Sequence, residues 1–157
     1  MVMVGEYELR EDRSYWNGGE KGQGNTWAKL ESDGKIRVGM TQLAGKISGA
    51  IRFIKIKPQG TVIEQGEAVA TLETGKWIGP LEAPVSGTID EINRNLRRNL
   101  KALNDNPYDD GWIAILKPSN PEEMNTLLTG EAAVDWYKEE IEKRTEKSNS
   151  MERNRIY

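Results

Sequence analysis

The sequence predicts a mostly β fold, in which two small antiparallel sheets form a sandwich with flanking helices. Residues 68–73 (Ala-Val-Ala-Thr-Leu-Glu) alternate with the two-residue period of a strand. Asp33-Gly34 separates two strand-like runs, an arrangement typical of a β-hairpin. Residues 58–62 and 84–89 share the order Pro, Gly, Thr and an apolar residue. This weak internal repeat is what a sandwich with approximate two-fold symmetry should show.

Composition restricts the chemistry that the chain can perform. The 157 residues are enough for one domain with a substantial core, and the net charge of −3 argues against a general nucleic-acid surface. The chain contains neither cysteine nor histidine. Disulfides, thiolate nucleophiles, zinc-thiolate sites, and Ser-His-Asp or Cys-His catalysis are therefore excluded. A reactive group would have to be attached to the chain.

Apolar segments are short throughout the sequence. The longest uninterrupted apolar run, 112–116, is far too short to span a bilayer. The N-terminus reaches Glu6 without the basic region of a secretory signal. We therefore expect a soluble, cytoplasmic protein.

The pattern divides the chain into three parts. Residues 1–24 contain a glycine-rich stretch and are expected to form a poorly ordered arm or a long loop. Residues 25–142 carry the ordered pattern and form the predicted domain. Residues 143–157 are polar without periodicity, and we expect a frayed C-terminal tail.

Several elements of the predicted domain follow from local patterns. Residues 40–45 are compatible with a short helical turn. Residues 51–57 form a strand whose alternation changes phase between Phe53 and Ile54, which indicates either a bulge or burial on both faces. The run 112–116 is typical of a buried strand. Asn120-Pro121 is a favourable helix start, and a last helix follows Gly130.

An apolar stripe with spacings of four, four and three residues predicts one helix after the main sheet. Its members are Ile92, Leu96, Leu100 and Leu103. Basic residues lie largely off this stripe: Arg94, Arg97, Arg98 and Lys101. Such a face is either solvated or a docking patch for an acidic partner.

The lysine at position 76 follows a turn signal, Thr74-Gly75, at the end of the strand 68–74. A lysine at the tip of a rigid hairpin is held away from the body of the protein, where another enzyme can reach its amine. The alternative is an ordinary solvated lysine in a turn.

The surroundings of this lysine resemble a lipoyl attachment site. The run 73–76 (Glu-Thr-Gly-Lys), with Pro-Val-Ser-Gly at 84–87, is similar to the modification hairpin of the glycine cleavage H-protein family. The likeness extends over residues 25–141. It implies a lipoyl/biotinyl-type barrel-sandwich hybrid with lipoic acid in amide linkage on Lys76. Glu73 would match the acidic position read by a lipoate ligase or lipoyl transferase, with Thr74 and Gly75 completing the site.

The resemblance further implies a non-catalytic, monomeric carrier with a swinging arm. Its partners would be glycine decarboxylase, a folate-dependent aminomethyltransferase and dihydrolipoamide dehydrogenase, and its cargo an aminomethyl group. A biotin carrier normally has methionine on both sides of its lysine. Gly75 and Trp77 do not fit that pattern.

The sequence also departs from the family at positions that bear on cargo. Gln42 and Ala50 stand where the family usually has aspartates, and Thr26 stands where it has a histidine. The order Gly-Lys-Trp-Ile-Gly-Pro at 75–80 resembles H-like lipoyl carriers that serve heterodisulfide-reductase-like sulfur oxidation. A sulfur carrier for such subunits is therefore one alternative, and an unlipoylated docking module is another.

Overall fold

Antiparallel strands form three sheets in the computed structural model, which describes the backbone of residues 1–156 and the side chains of residues 1–145. The strands are β1 (Val2–Val4), β2 (Tyr7–Leu9), β3 (Ser14–Trp16), β4 (Thr26–Leu30), β5 (Ile36–Met40), β6 (Ile51–Ile56), β7 (Val62–Ile63), β8 (Ala68–Thr74), β9 (Ile78–Glu82), β10 (Gly87–Ile92) and β11 (Ala114–Pro118). The helices are α1 (Gln42–Ser48), α2 (Ala102–Asp105) and α3 (Gly130–Ile156), with 3₁₀ helices at Arg94–Arg97 and Pro121–Thr126.

The two larger sheets confirm the predicted mostly β sandwich. One has six strands in the order β3-β4-β5-β11-β10-β7, and the other has three in the order β6-β8-β9. Neither closes on itself within the described residues, so the sandwich is not a closed barrel. The two copies of the weak internal repeat end in strands β7 and β10. These two strands pair with each other, with Thr88 opposite Val62.

Most of the core lies in one cluster that draws side chains from both large sheets. Its fully buried members include Val38 and Met40 of β5, Leu72 of β8, Ile89 of β10 and Leu116 of β11. β5 contributes Ile36, Val38 and Met40 to this cluster, and β11 contributes Ala114 and Leu116, alternate residues as the two-residue period of a pleated strand requires. This core supports β8, which leads to the lysine hairpin.

A second cluster joins the N-terminal strands to α3 and is dominated by aromatic residues. Trp27, Tyr15, Tyr108 and Tyr137 are buried there, together with Leu43 of α1. The Tyr137 hydroxyl accepts a hydrogen bond from the Leu43 backbone N–H at 3.0 Å. The aromatic cluster thereby connects three parts of the chain that are distant in sequence.

The expectation of a poorly ordered arm over residues 1–24 is wrong. This segment forms β1, β2 and β3, and it buries Val4, Leu9 and Tyr15. The strands have three residues each, too short for a local pattern. β1 and β2 pair with each other, and β3 pairs with β4 and contacts more distant parts of the chain. Tyr15, for example, exchanges backbone hydrogen bonds with Leu128 at 2.9 Å. The boundaries of the 25–142 domain stay a prediction.

The C-terminal expectation is also wrong, since α3 continues without a break to Ile156. The polar sequence after residue 143 has no apolar stripe, but its Glu and Lys residues are good helix formers. The last residue, Tyr157, lies outside the described part of the chain. No helix in the described backbone is both long and apolar enough to cross a membrane.

The prediction of a single helix from the stripe at 92–103 is wrong. Ile92 ends β10, and the chain then makes the 3₁₀ helix Arg94–Arg97 and the short α2. Leu96 and Leu103 are nevertheless buried, as the stripe required. The apolar spacing predicted the burial of these two leucines correctly, but it does not distinguish one helix from two short ones.

The remaining predictions from local pattern hold, with two shifts of position. The Asp33-Gly34 hairpin joins β4 to β5, and α1 follows β5. The register shift in β6 lies between Ile51 and Phe53, not between Phe53 and Ile54 as predicted. Asn120 caps the 3₁₀ helix that begins at Pro121. The strand predicted at 112–116 begins instead at Ala114.

Candidate functional site

The candidate site is the tip of the β8–β9 hairpin. The two strands pair antiparallel, with Glu73 opposite Ile78, and the connection is formed by Gly75, Lys76 and Trp77. Lys76 is exposed, and no carboxylate lies within 4 Å of its amine among the described side chains. The structure therefore presents the amine of Lys76 to solvent at the end of a two-stranded support.

Thr74 holds the turn in place from inside. Its backbone N–H donates to the Trp77 carbonyl at 2.8 Å, closing the turn. Its buried hydroxyl accepts hydrogen bonds from the N–H groups of Lys76, at 3.2 Å, and of Trp77, at 3.1 Å. Threonine commonly satisfies backbone donors of a turn in this way. The backbone of the lysine is thereby fixed while its side chain remains free.

Trp77 anchors the other side of the tip. The half-buried indole packs against the main core cluster and lies across Gly79. A Cβ at Gly79 would come within 2.2 Å of the ring, so only glycine allows this contact without a shift. Residues two apart on a strand share a face, which makes Trp77 and Gly79 neighbours by register. The tip is thus supported by packing as well as by hydrogen bonds.

A cation lies against the turn. The Arg52 guanidinium lies against Gly75, where a Cβ would be 3.0 Å from its Nη2 atom. Glu73 lies beside the tip on the outer face of the sheet, between Phe53 on β6 and Ile78 on β9. Both apolar neighbours are largely exposed, Phe53 by 54% and Ile78 by 67%. The surface around Lys76 therefore combines one cation, one carboxylate and two apolar side chains.

The positions that depart from the family pattern lie in different surroundings. Ala50 is exposed and precedes Ile51, which is opposite Thr74 at the base of the turn. Gln42 is half-buried at the start of α1, where its Oε1 accepts a hydrogen bond from the Glu8 N–H at 2.6 Å. Thr26 is buried in β4, and its hydroxyl has no partner among the described groups. None of the three supplies a charge.

A buried carboxylate at the far end of β9 was not predicted from the sequence. Glu82 accepts hydrogen bonds from the Trp16 indole N–H at 2.9 Å and from the N–H groups of Gln23, at 2.7 Å, and Gly24, at 3.0 Å. A Cβ at Gly22 would be 2.4 Å from Glu82 Oε1. The glycine-rich loop therefore wraps around this carboxylate and fastens the N-terminal segment to the hairpin strand.

Sequence reasoning placed four residues at the site, and the structure groups all of them at one turn. Lys76, Gly75 and Glu73 are exposed there, whereas Thr74 is buried beneath them. Sequence reasoning did not find Arg52, because the pairing of β6 with β8 cannot be predicted from a local pattern. The Trp-Ile-Gly order at 77–79 was the available signal for the indole contact, since a glycine two residues from a tryptophan leaves room for the ring.

The site suits acylation of a lysine and not metal binding. Among the described side chains, no group of three His, Cys, Asp or Glu residues could hold a metal ion. An exposed primary amine on a rigid turn is open to an acylating enzyme from several directions.

A family model described as "Glycine cleavage H-protein" matches residues 19–140. A probable glycine cleavage system H protein 2 from Saccharolobus solfataricus is 42% identical over 141 residues, covering 90% of this chain and 93% of that protein. Glycine cleavage system H protein 2 from Aquifex aeolicus is 42% identical over 122 residues, covering 77% of this chain and 76% of that protein. The crystal structure of a glycine cleavage system H protein from Mycobacterium marinum is similar with a TM-score of 0.65 and 26% identity. That match covers 82% of this chain and 95% of the solved one.

Proposed function

This chain belongs to the glycine cleavage H-protein family of lipoyl carriers, and we propose that it carries lipoic acid in amide linkage on Lys76. Proteins of this family bind lipoic acid on a lysine and are carriers, not catalysts. The proposed role is a shuttle whose arm visits the active sites of several enzymes in turn. Cytoplasmic location and a monomeric state stay predictions from the sequence.

The observation that carries the proposal is the geometry of the Lys76 turn. Thr74 fixes the backbone and Trp77 packs the turn onto the core, so the Lys76 side chain starts from one stable position while its amine remains free. A lipoyl group bound there would supply the redox-active disulfide that a cysteine-free chain lacks. The protein's own contribution is to hold the root of the arm rigidly, so that the arm samples a defined volume at high effective concentration.

Glu73 and Gly75 are proposed to help the modifying enzyme recognise the turn. Glu73 is exposed beside the tip, where a lipoate ligase or lipoyl transferase can contact its carboxylate. Gly75 presents no side chain, and its backbone is accessible next to the amine. Replacement of Glu73 by glutamine should therefore slow lipoylation without changing the free energy of unfolding, because this side chain has no hydrogen-bond or ion-pair partner among the described residues.

We propose that the cargo is an aminomethyl group. A pyridoxal-phosphate glycine decarboxylase would load this group, and a folate-dependent aminomethyltransferase would remove it. A flavin dihydrolipoamide dehydrogenase would then reoxidise the arm. The support is that the chain belongs to this family and that the family match, over residues 19–140, includes the whole β8–β9 hairpin. The test is glycine–bicarbonate exchange with the lipoylated protein as the sole carrier, beside a conventional H-protein.

A sulfur intermediate bound for heterodisulfide-reductase-like subunits is the second candidate cargo. The observation that favours it is the charge at the arm's root, where the Arg52 guanidinium lies against the turn and Ala50 supplies no carboxylate. A cationic aminomethyl group is disfavoured beside a guanidinium, whereas an anionic sulfur group is favoured. Exchange at the rate of the conventional protein would support the aminomethyl cargo. Loss of exchange in a fully lipoylated sample, restored in Arg52→Gln, would favour the sulfur cargo.

A further inference from the structure

The segment 94–101 carries four cations and no carboxylate, on a chain whose net charge is −3. The cations are Arg94, Arg97, Arg98 and Lys101, which we call the basic surface. All four are exposed, while Leu96 between them is buried and Leu100 is half-buried. Arg94 and Arg97 are three residues apart in a 3₁₀ helix, which places them on the same side. Burial of the leucines thus turns the basic side chains outward together.

No ion pair neutralises the basic surface within the described side chains. Carboxylates lie within 4 Å of other cations, such as Arg10, Lys35 and Arg37, but not of these four. Like charges gathered without counter-ions disfavour the folded state slightly, so the fold gains nothing from them. A binding role accounts for their concentration better than a structural role.

The basic surface is connected to the lysine turn by two successive contacts. Asn104, three residues after Lys101, accepts a hydrogen bond from the Ile51 N–H at 3.2 Å and donates to the Gly49 carbonyl at 2.9 Å. Ile51 in turn lies opposite Thr74 in the β6–β8 pairing. Leu96 and Trp77 also pack in the same core cluster. The segment that bears the cations is therefore fixed to the strand end from which the lysine turn projects.

We propose that the basic surface docks an acidic protein surface beside the active-site entrance of an enzyme that acts on the arm of Lys76. The inference rests on the proposed carrier function. Complementary charges on the two proteins would steer the encounter and orient the turn toward the entrance, raising the association rate more than the final affinity. A protein partner fits better than nucleic acid, because the chain has a pI near 5.2 and its cations are confined to one short segment.

The test compares a triple variant with a matched control, both as full-length lipoylated proteins. Arg94→Gln, Arg97→Gln and Arg98→Gln together remove three charges from the basic surface. Lys21→Gln, Lys138→Gln and Lys143→Gln remove three charges from exposed lysines that are outside it. Binding to immobilised glycine decarboxylase, dihydrolipoamide dehydrogenase and a short DNA duplex is measured at low and high salt, after circular dichroism has shown that both variants are folded.

We expect the wild type and the control to bind at least one of the two enzymes with a strong salt dependence. The triple variant should associate about tenfold more slowly at low salt and lose most of that dependence. Equal binding by the triple variant, or no salt-dependent enzyme binding by the wild type, would overturn the proposal. Binding of DNA alone, lost in the triple variant, would overturn it in favour of nucleic acid.

The exchange assay keeps the two proposals distinguishable. Enzyme binding that the triple variant loses, with no glycine–bicarbonate exchange by the wild type, would retain the basic surface and contradict the aminomethyl cargo. Exchange by the wild type, with binding to both enzymes unchanged in the triple variant, would retain the cargo and contradict the surface.

Discussion

Two glycines of the lysine hairpin have different neighbours, and this difference gives a test of the turn. A Cβ at Gly79 would meet the Trp77 ring at 2.2 Å, while one at Gly75 would meet the end of the flexible Arg52 side chain at 3.0 Å. The indole is held by the core and cannot yield without loss of packing, whereas the guanidinium can move into solvent.

We therefore predict that Gly79→Ala lowers the free energy of unfolding by about 1–3 kcal/mol, with a changed tryptophan fluorescence. The matched Gly75→Ala should change it by less than about 0.5 kcal/mol. Urea titration of both variants measures the difference. An equal loss in the two would show that Trp77 does not pack across Gly79.

Trp27 and Lys76 are at opposite extremes of burial. Trp27 is fully buried, donates its indole N–H to the Pro107 carbonyl at 3.1 Å, and lies under the Arg13 guanidinium. Trp27→Ala should cost about 3–5 kcal/mol of unfolding free energy. Lys76→Ala should cost less than about 0.5 kcal/mol. A larger loss in the lysine variant, measured by thermal and urea unfolding, would contradict the exposed position of the turn.

At the scale of elements, local chemistry predicts what neighbouring residues can form by themselves. The Asp33-Gly34 hairpin, the cap at Asn120 and the β8–β9 hairpin needed only short-range signals, and all three are present. β1 and β2 pair with each other across the turn at Gly5, a short-range signal that the sequence analysis missed. β3 is held by Glu82 and Leu128, more than fifty residues away, and nothing local marked it. Trp112 was predicted to be in a buried strand, but it is half-buried before β11, with Arg37 over its ring.

The fastening of the N-terminal segment depends on one carboxylate. Glu82→Ala would leave the Trp16 indole N–H and the Gln23 and Gly24 N–H groups without their acceptor. We predict a loss of about 2–4 kcal/mol in unfolding free energy, together with increased amide hydrogen exchange in residues 16–24. The exposed Glu64, replaced by alanine, serves as the control and should change stability by less than about 0.5 kcal/mol. Unchanged exchange in residues 16–24 of the Glu82 variant would refute the fastening.

At the scale of the whole molecule, the buried tyrosines couple the N-terminal strands, α1 and α3. Burial raises the pKa of Tyr137 to about 12, from a usual value of 10.0, and it raises the pKa values of Tyr15 and Tyr108 further. Below pH 10 each phenol is protonated in both the folded and the unfolded state. As the pH rises through 10 to about 12, the unfolded state loses these protons first, so the free energy of unfolding falls.

We predict a loss of about 1 kcal/mol for each buried tyrosine between pH 10 and pH 11, measured by urea titration. Tyr137→Phe cannot ionise at that position, so its stability should fall by about 1 kcal/mol less over the same interval. The variant is compared with itself at pH 8, since it also loses the hydrogen bond from Leu43. Parallel pH curves for the wild type and Tyr137→Phe would contradict the burial of this phenol.

The sequence was informative about the site to the extent that the site is local. Lys76, Glu73, Thr74 and Gly75 are consecutive, and their arrangement follows from the turn that they form. The cation at Arg52 and the support from Gly79 depend on strand pairing and on packing, which single-residue patterns do not specify. Charge at the arm's root, which bears on the cargo, therefore became visible only with the fold.

We predict that Lys76 is the one attachment point, and intact mass after treatment with a lipoate ligase is the direct test. The wild type should gain the mass of a single lipoyl group, and peptide mapping should place that group on the peptide that contains Lys76. Lys76→Arg keeps the positive charge but removes the acylated amine, and it should gain no mass. A lipoyl group on Lys76→Arg, or on any other peptide of the wild type, would contradict the account.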